Sequence, residues 1–312
     1  MDWLTERFDM SDNQIHASHP GKNDPSGNKA YNLSILKALA AALLYAVSSP
    51  VSKLLLKDVH PLVMASALYL GAGLGMGLVT LLVRQNTERT ELPLTRAELP
   101  FVIGMVILDI AAPFLLMTGL MSTSAAAVSL LNNFEIVATS IIAFALFKEI
   151  IPGKLRWGIL FITAGSILLS LEDPAQLQFS AGSLLILAAA VCWGLENNCT
   201  RMLSGKDPLQ IVVIKGLGSG LGSLALVAMS GTPLPGLVYM GAALVLGFFS
   251  YGVSIFLYVR AQRDLGAART SAWYAAGPFI GVILSFVIFQ EAPGPRFFAA
   301  LALMAVGAVL AI

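Results

Sequence analysis

Ten apolar stretches of about 20 residues, separated by short polar connections, limit what this chain can fold into. They fall near 33–56, 61–83, 98–119, 122–147, 154–171, 179–203, 208–230, 236–259, 266–289 and 295–312. A helix that crosses a hydrocarbon core of roughly 30 Å needs about 20 mostly apolar residues. Only 12% of the residues are charged, about half the share found in soluble domains. The sequence therefore predicts an all-α integral membrane protein with ten transmembrane helices.

The segments between these stretches leave no room for an inserted soluble domain, since the longest clearly polar connection covers 84–98. Residues 1–32 are polar and rich in Asn, Asp, Ser and Gly, a composition typical of disordered chain. A disordered cytoplasmic tail is predicted there. No Cys or carboxylate cluster accompanies His16 and His19 in this tail, and we predict neither a metal nor a cofactor. The net charge of +1 and the lack of a basic run argue against a nucleic-acid partner.

Basic residues determine the predicted orientation. With the N-terminus in the cytoplasm, 15 of the 19 Lys and Arg residues lie on the cytoplasmic side, three lie outside, and one, Lys215, lies within a span. Cytoplasmic loops of membrane proteins carry an excess of Lys and Arg. Both termini are therefore expected in the cytoplasm, and the protein is expected in the cell membrane.

Three sequence patterns recur in the same order in the two halves of the chain. FALFKE ends at Glu149 and FVIFQE ends at Glu291, an offset of 142 residues. Alternate glycines in LGAGLGMG (70–77) match those in KGLGSGLG (215–222) at an offset of 145. LAAALLYAVSSPVSK matches LAAAVCWGLENNCTR at an offset of 148. Agreement among three offsets indicates a duplication.

The duplicated unit has five spans. The first repeat is predicted over 33–171, a linker over 172–178 and the second repeat over 179–312. Because the unit has an odd number of spans, its second copy must be inverted in the membrane. Inverted repeats are an architecture of secondary transporters, whose substrate site lies near the midplane between the halves. The paired acids and the glycine ladders occur in both halves and are predicted to be structural.

With these marks the sequence resembles the drug/metabolite transporter superfamily and, within it, the EamA-type family. The resemblance covers about 35–312 and rests on the two five-span halves, the acids of FKE and FQE, the glycine-rich spans two and seven, and Pro50 and Pro278. It implies a transporter that moves amino acids, other small metabolites or drugs, often outward, without hydrolysing ATP. One departure is Ile136, which aligns with Pro278 and directly follows Glu135.

Intramembrane acids without an acidic counterpart in the other half are the first candidates for function. Glu135 aligns with Gly277 and Glu196 aligns with Ser48, while Asp109 lies about 16 Å into span three. Inserting a charged residue at midspan costs around 3 kcal/mol, so such residues normally face an interior cavity. We expect a function for Glu135, because an unpaired acid is a costly way to hold helices together. The role of Asp109 is left open.

Polar and aromatic residues at helical spacing on spans four, six, eight and nine complete the predicted site. Together with the acids they form one substrate-binding or coupling set. Its members are Glu135, Asn132, Glu196, Asn197, Asp109, Tyr274, Tyr251 and Trp193. The aromatic rings would hold an apolar or aromatic part of the substrate, and the acid and amide groups would bind its amine. Two alternatives stay open: the polar side chains hold helices together, or Glu196 simply pairs with Lys215.

The predicted function is a secondary transporter that moves a small organic metabolite, amino acid-like or drug-like, across the cytoplasmic membrane by alternating access. Export is the expected direction, protons are a candidate coupling ion, and the protein is expected to be a monomer or a homodimer. A membrane channel or a structural scaffold is the alternative, although neither needs an inverted repeat with asymmetric acids. An enzyme is not expected, because no span contains a histidine to activate a serine and no GxxxxGK[ST] loop occurs.

Overall fold

The computed structural model describes residues 25–84, 92–148, 150–173, 178–203, 205–265, 270, 273–291 and 293–311. The first helix begins at Pro25, earlier than the predicted start at 33. Proline is favoured in a first helical turn because its missing N–H would have no partner there. The rest of the predicted tail, with His16 and His19, lies outside the described residues, as does Glu149.

Within the described residues the regular structure is helical except for one short pair of strands. The helices are α1 (Pro25–Ala46), α2 (Ser48–Leu55), α3 (Pro61–Arg84), α4 (Leu99–Ser122), α5 (Ala125–Leu131), α6 (Phe134–Phe147), α7 (Gly153–Ser170), α8 (Ala181–Leu203), α9 (Pro208–Ser230), α10 (Leu237–Gly247), α11 (Ser254–Leu265), α12 (Ala276–Phe289) and α13 (Pro295–Ala311). A 3-10 turn (Arg96–Glu98) precedes α4, and a π-helix (Phe248–Val253) joins α10 to α11.

Each of the ten predicted spans contains helical structure among its described residues. In the described part of the chain, six segments are long and apolar enough to cross a membrane: Tyr31–Leu55, Pro61–Leu82, Arg96–Ser122, Ala125–Leu146, Pro208–Ser230 and Leu237–Leu265. Two shorter apolar helices cover Ala276–Phe289 and Pro295–Ala311. The chain is thus a multi-pass helical membrane protein, and the count of ten crossings stays a prediction.

One short strand pair lies at the predicted linker, and the rest of the regular structure described is helical, in agreement with the predicted all-α class. β1 (Leu171–Asp173) pairs antiparallel with β2 (Gln178–Phe179). The pair joins the end of α7 to the start of α8. The short connection between α7 and α8 brings β1 and β2 side by side, so their amide and carbonyl groups can bond to each other.

Four of the predicted spans are interrupted within the described residues, although the sequence predicts a single helix for each. Val47 separates α1 from α2, Asn132 and Asn133 separate α5 from α6, the π-helix interrupts span eight, and a turn at Ala275 precedes α12 in span nine. Broken helices near the midplane commonly surround the substrate in secondary transporters, and π-helices occur frequently at functional sites. The interruptions therefore indicate where the site lies.

The break between α5 and α6 follows from two adjacent asparagines. The Nδ2 of Asn133 donates to the carbonyl of Leu130 at 3.0 Å. The backbone amides of Glu135 and Ile136 bond to carbonyls three residues earlier, at 3.0 and 3.1 Å, which is the pattern of a 3-10 turn. Asparagine side chains compete for backbone groups and so favour such turns.

The glycine ladders let α3 and α9 pack closely along their length. A Cβ on Gly73 would lie 2.5 Å from the backbone nitrogen of Leu217, and one on Gly216 would lie 2.5 Å from the Cα of Gly73. Both distances are far below van der Waals contact. Small residues permit this approach between transmembrane helices, in agreement with the structural role predicted for the ladders.

The other helices also pack in pairs. α4 packs against α8, and α11 packs against α1; α6 packs against α8, and α12 packs against α1. α7 and α13 form a further pair. The apolar core between them includes Leu116, Leu130, Trp193 and Tyr251, so the core crosses from the first half of the chain to the second.

Gly73→Ala is expected to lower the melting temperature of the detergent-solubilised protein, because the added methyl group forces α3 away from α9. Overpacking of this kind costs about 1–3 kcal/mol. Gly77→Ala is the matched control on the same helix, since nothing lies within 4 Å of its added Cβ. Thermal denaturation followed by size-exclusion chromatography measures the melting temperature of each variant. Equal melting temperatures for the two variants would contradict the assigned contact.

Candidate functional site

Two adjoining cavities lie among α1, α6, α8 and α11. The larger has a volume of about 180 Å³, and the smaller has a volume of about 60 Å³. Some residues line both cavities, namely Tyr45, Glu135, Asn197, Tyr258 and Tyr274. The carboxylate of Glu135 therefore belongs to the wall that the two cavities share.

The larger cavity reaches one end of the helix bundle. Its lining includes Ile150, Leu155, Arg201 and Ala311, which lie where α6, α8 and α13 end and α7 begins. Arg201 makes contacts of its own. A molecule in the larger cavity is therefore next to this end of the bundle.

At the opposite end of the bundle, Lys53 ties α2 to the turn between α4 and α5. Its Nζ donates to the carbonyl oxygens of Leu120, Met121 at 3.1 Å and Thr123 at 3.0 Å. The last carbonyls of a helix have no partner within the helix, so a lysine ammonium can bind several of them at once. α5, which follows this turn, is buried along its whole length.

Glu135 lies in the first turn of α6, where the aligned backbone dipoles favour a negative charge. The Nδ2 of Asn197 donates to Glu135 Oε1 at 2.6 Å and lies 3.3 Å from Thr139 Oγ1. The acid that was expected to be unpaired therefore has a neutral hydrogen-bond partner. Among the described residues no Lys or Arg forms an ion pair with Glu135.

A buried network of charges lies beside the smaller cavity. Lys215 Nζ is 3.2 Å from Asp109 Oδ2 and 2.8 Å from Glu196 Oε1. Tyr69 donates to Asp109 Oδ1 at 2.6 Å, and Thr200 donates to Glu196. Glu196 both pairs with Lys215 and lines the smaller cavity, so the two interpretations that the sequence leaves open for this residue do not exclude each other. The network contains two carboxylates and one ammonium group.

Five aromatic side chains, Tyr45, Trp193, Tyr251, Tyr258 and Tyr274, form what we term the aromatic cluster. The ring of Tyr45 lies at its centre, with centroid distances of 6.5 Å to Trp193, 5.9 Å to Tyr251 and 5.7 Å to Tyr274. Tyr258 adds a T-shaped contact to Tyr274 at 4.9 Å. All five rings line the smaller cavity.

The structure brings most of the predicted site residues to the cavity walls. Glu135, Asn197 and Tyr274 line both cavities, whereas Asn132 lines only the larger. The smaller cavity is also lined by Glu196, Trp193 and Tyr251. Asp109 lies behind Lys215 instead and lines neither cavity.

Tyr45 and Tyr258 are site residues that the sequence analysis did not identify. A signal for each was present. Tyr45 aligns with Trp193 at the offset of 148 residues, so the duplication puts it at the matching position of the other half. Tyr258 follows Tyr251 by seven residues, which is two helical turns, and so occupies the same face of span eight.

Comparisons with known proteins agree with this architecture. The sequence model of the EamA-like transporter family matches residues 32–171 and 180–312. An uncharacterized transporter of Methanothermobacter thermautotrophicus is 26% identical over 274 residues, which cover 82% of this chain and 79% of that protein. The uncharacterized transporter YyaM of Bacillus subtilis is 26% identical over 186 residues, which cover 56% of this chain and 60% of that protein.

One solved crystal structure, described only as that of a protein, is similar in fold. The TM-score is 0.65 at 18% sequence identity, and the similarity covers 90% of this chain and 96% of the other. Identity at this level supports a shared fold and carries no information on activity.

Lys215→Met is expected to lower the melting temperature strongly, because it leaves Asp109 and Glu196 without a cation. Breaking a buried ion pair by removing one partner costs about 3–5 kcal/mol. Lys37→Met is the matched control, since Lys37 pairs with a half-exposed Asp264 at 3.2 Å and such pairs contribute about 0–1 kcal/mol. Thermal denaturation in detergent compares the two. Similar losses in both variants would show that the buried network is not stabilised by Lys215.

Proposed function

The chain belongs to the EamA-like transporter family, and we propose that it is a secondary transporter that moves a small organic metabolite across the cell membrane by alternating access. One observation carries this proposal: an intramembrane carboxylate, Glu135, lies on the wall shared by two cavities and has no basic partner among the described residues. A group of this kind is retained at membrane depth when it binds a substrate or a coupling ion.

The cavity walls fit a substrate that combines a polar group with an apolar body. Glu135 and Asn197 are hydrogen-bonded to each other and can accept from an amine of the substrate. The rings of Tyr45, Tyr258 and Tyr274 line the same cavities and can pack against an apolar or aromatic body. Ligand sites usually combine an apolar wall with a few polar groups in this way.

The packing of the helices supports a two-fold relation between 33–171 and 179–312, which the odd number of predicted spans would make inverted. In such a relation span three corresponds to span eight and span six corresponds to span one. Because α4 is span three and α8 is span six, their contact corresponds to the contact between α11 of span eight and α1 of span one. Both contacts occur. The contacts of α6 with α8 and of α12 with α1 correspond in the same way. Alternating access in inverted repeats is a rocking of such units around a fixed site.

The orientation of the cavities follows from the predicted topology, and the direction is the export that the family resemblance implies. The larger cavity reaches the end of the bundle that contains Arg201 and Ala311, which is the cytoplasmic end if both termini are cytoplasmic. The contact of Lys53 with the end of α4 then closes the external side. We propose an inward-open state of an exporter, with protons as a candidate coupling ion and either a monomer or a homodimer as the assembly.

Glu135→Gln keeps the shape of the side chain and removes its charge, so transport is expected to fall at least tenfold. The substrate is first identified by efflux of labelled amino acids, nucleosides and cationic dyes from loaded vesicles. If Glu135 binds a substrate amine, the variant loses binding at every pH. If Glu135 carries a coupling proton, counterflow exchange survives while gradient-driven transport is lost.

Asp58→Asn is the control for this experiment, because Asp58 is an exposed acid after the end of α2 and lines neither cavity. It should transport at the wild-type rate. Wild-type rates of exchange and of gradient-driven transport in Glu135→Gln would assign Glu135 to packing and contradict the proposed site.

Lys53→Met is expected to open the external side more often, because it removes the donor that holds the carbonyls of Met121 and Thr123. The measurement uses Ser48→Cys, since Ser48 is buried in α2, in a chain whose Cys192 and Cys199 are replaced by alanine. Labelling of this cysteine by a membrane-impermeant maleimide on whole cells should accelerate at least threefold.

Lys57→Met is the control, since it removes a positive charge from an exposed position close to the end of α2. It should leave the labelling rate of Ser48→Cys unchanged. Equal rates in the Lys53 and Lys57 variants would mean that the contacts of Lys53 do not hold the external side closed.

A further inference from the structure

We propose that the transported substrate is an organic cation without a carboxylate next to its charged group, and that Glu135 and the aromatic cluster bind this cation. The inference rests on the proposed transport function and names the substrate class for the same site. It excludes α-amino acids, one of the substrate classes that the sequence leaves open. The charges and rings around the smaller cavity carry the argument.

The acidic groups around the smaller cavity outnumber the basic ones. Glu135, Glu196 and Lys215 line this cavity, and Asp109 contacts Lys215 from behind. Three carboxylates therefore surround one ammonium group. When the three carboxylates are ionised, a cation that enters the cavity gains attraction from this excess of negative charge, in a region where water screens it poorly.

The only basic group that lines the smaller cavity, among the described residues, is already bound on two sides. Lys215 lies 2.8 Å from Glu196 and 3.2 Å from Asp109. A substrate carboxylate would have to displace one of these oxygens and would then lie close to the remaining acids. Repulsion of this kind is a common means of rejecting a competing ligand.

Arg201 does not offset this repulsion when the carboxylate of the substrate is adjacent to its amine. Arg201 lines only the larger cavity and has contacts of its own. An α-amino acid separates its amine and its carboxylate by a single carbon atom. If the amine occupies the smaller cavity, the carboxylate lies there as well and faces Glu135, Glu196 and the occupied Lys215.

The aromatic cluster fits the cation directly. The faces of aromatic rings carry negative electrostatic potential, and several rings around one cation form a cage that binds ammonium groups. Six aromatic rings, those of the aromatic cluster and that of Tyr69, line the smaller cavity beside Glu135. Its volume of about 60 Å³ corresponds to roughly four water positions, which suits a small ammonium head group. The adjoining larger cavity has room for the body of the substrate.

Four compounds of matched size test the inference on the purified full-length protein. They are 2-phenylethylamine, phenyltrimethylammonium, L-phenylalanine and 3-phenylpropanoate, with binding measured by isothermal titration calorimetry. The two cations should bind at least tenfold more tightly than phenylalanine, and 3-phenylpropanoate should not bind. Phenylalanine binding as tightly as 2-phenylethylamine, or no binding of either cation, would overturn the inference.

Variants separate the contributions of the rings and of the charges. Tyr45→Leu should weaken binding of phenyltrimethylammonium at least fivefold, whereas Tyr45→Phe, which keeps the ring, should retain most of it. Glu196→Gln releases Lys215 from one carboxylate and should narrow the preference for 2-phenylethylamine over phenylalanine at least threefold. Equal effects of the two Tyr45 variants, or an unchanged preference in Glu196→Gln, would contradict the assigned roles.

Transport assays distinguish a failure of this inference from a failure of the proposed function. Proteoliposomes that move phenylalanine but not 2-phenylethylamine would overturn the substrate class and leave the transporter proposal intact. Proteoliposomes that move neither compound nor any member of the labelled panel would count against both. Movement of 2-phenylethylamine that is lost in Glu135→Gln is the result expected here.

Discussion

The ion pairs of Lys215 are the interaction on which the centre of the molecule depends. An isolated charge at membrane depth is costly, and here Lys215 on α9 forms ion pairs with both Asp109 on α4 and Glu196 on α8. The contact therefore fixes the rotation of α8 about its axis. Asn197 follows Glu196 directly and is turned by about 100° around the helix, so it reaches Glu135 instead. The adjacent residues Glu196 and Asn197 thereby connect the charge network to Glu135 on the wall that the two cavities share.

The interrupted helices determine how the polar groups face the cavities. In an unbroken helix Glu135 would lie in the interior of the helix. The break at Asn132 and Asn133 instead puts it in the first turn of α6. There the carboxylate is favoured by the helix dipole as well as by Asn197. The π-helix has a comparable effect, because Tyr251 lies within it and contacts Tyr45. The backbone irregularities and the site thus coincide.

Much of this arrangement is predictable from the sequence, and the exceptions have physical reasons. Apolar length locates the helices, and the alternating glycines indicate helices that are packed closely, because both depend on local composition. The structure then identifies α3 and α9 as each other's partners. The breaks were missed, since competition between an asparagine side chain and the helix is decided by packing around it. Tyr45 was missed for a different reason. A tyrosine in an apolar span looks the same whether it faces lipid or a cavity, and only its alignment with Trp193 distinguishes the two.

The duplication indicates which residues would change their environment when the transporter changes state and which would keep it. Lys53 and Arg201 align at the offset of 148 residues, yet Lys53 bonds to the end of α4 while Arg201 lines the larger cavity. Under the proposed mechanism the two basic residues exchange these environments when the protein changes state, because inverted repeats exchange their conformations. Glu135 aligns with Gly277 and so has no acidic counterpart. A carboxylate that is present in one repeat only cannot be exchanged, and under the same mechanism it would serve both states from the same position.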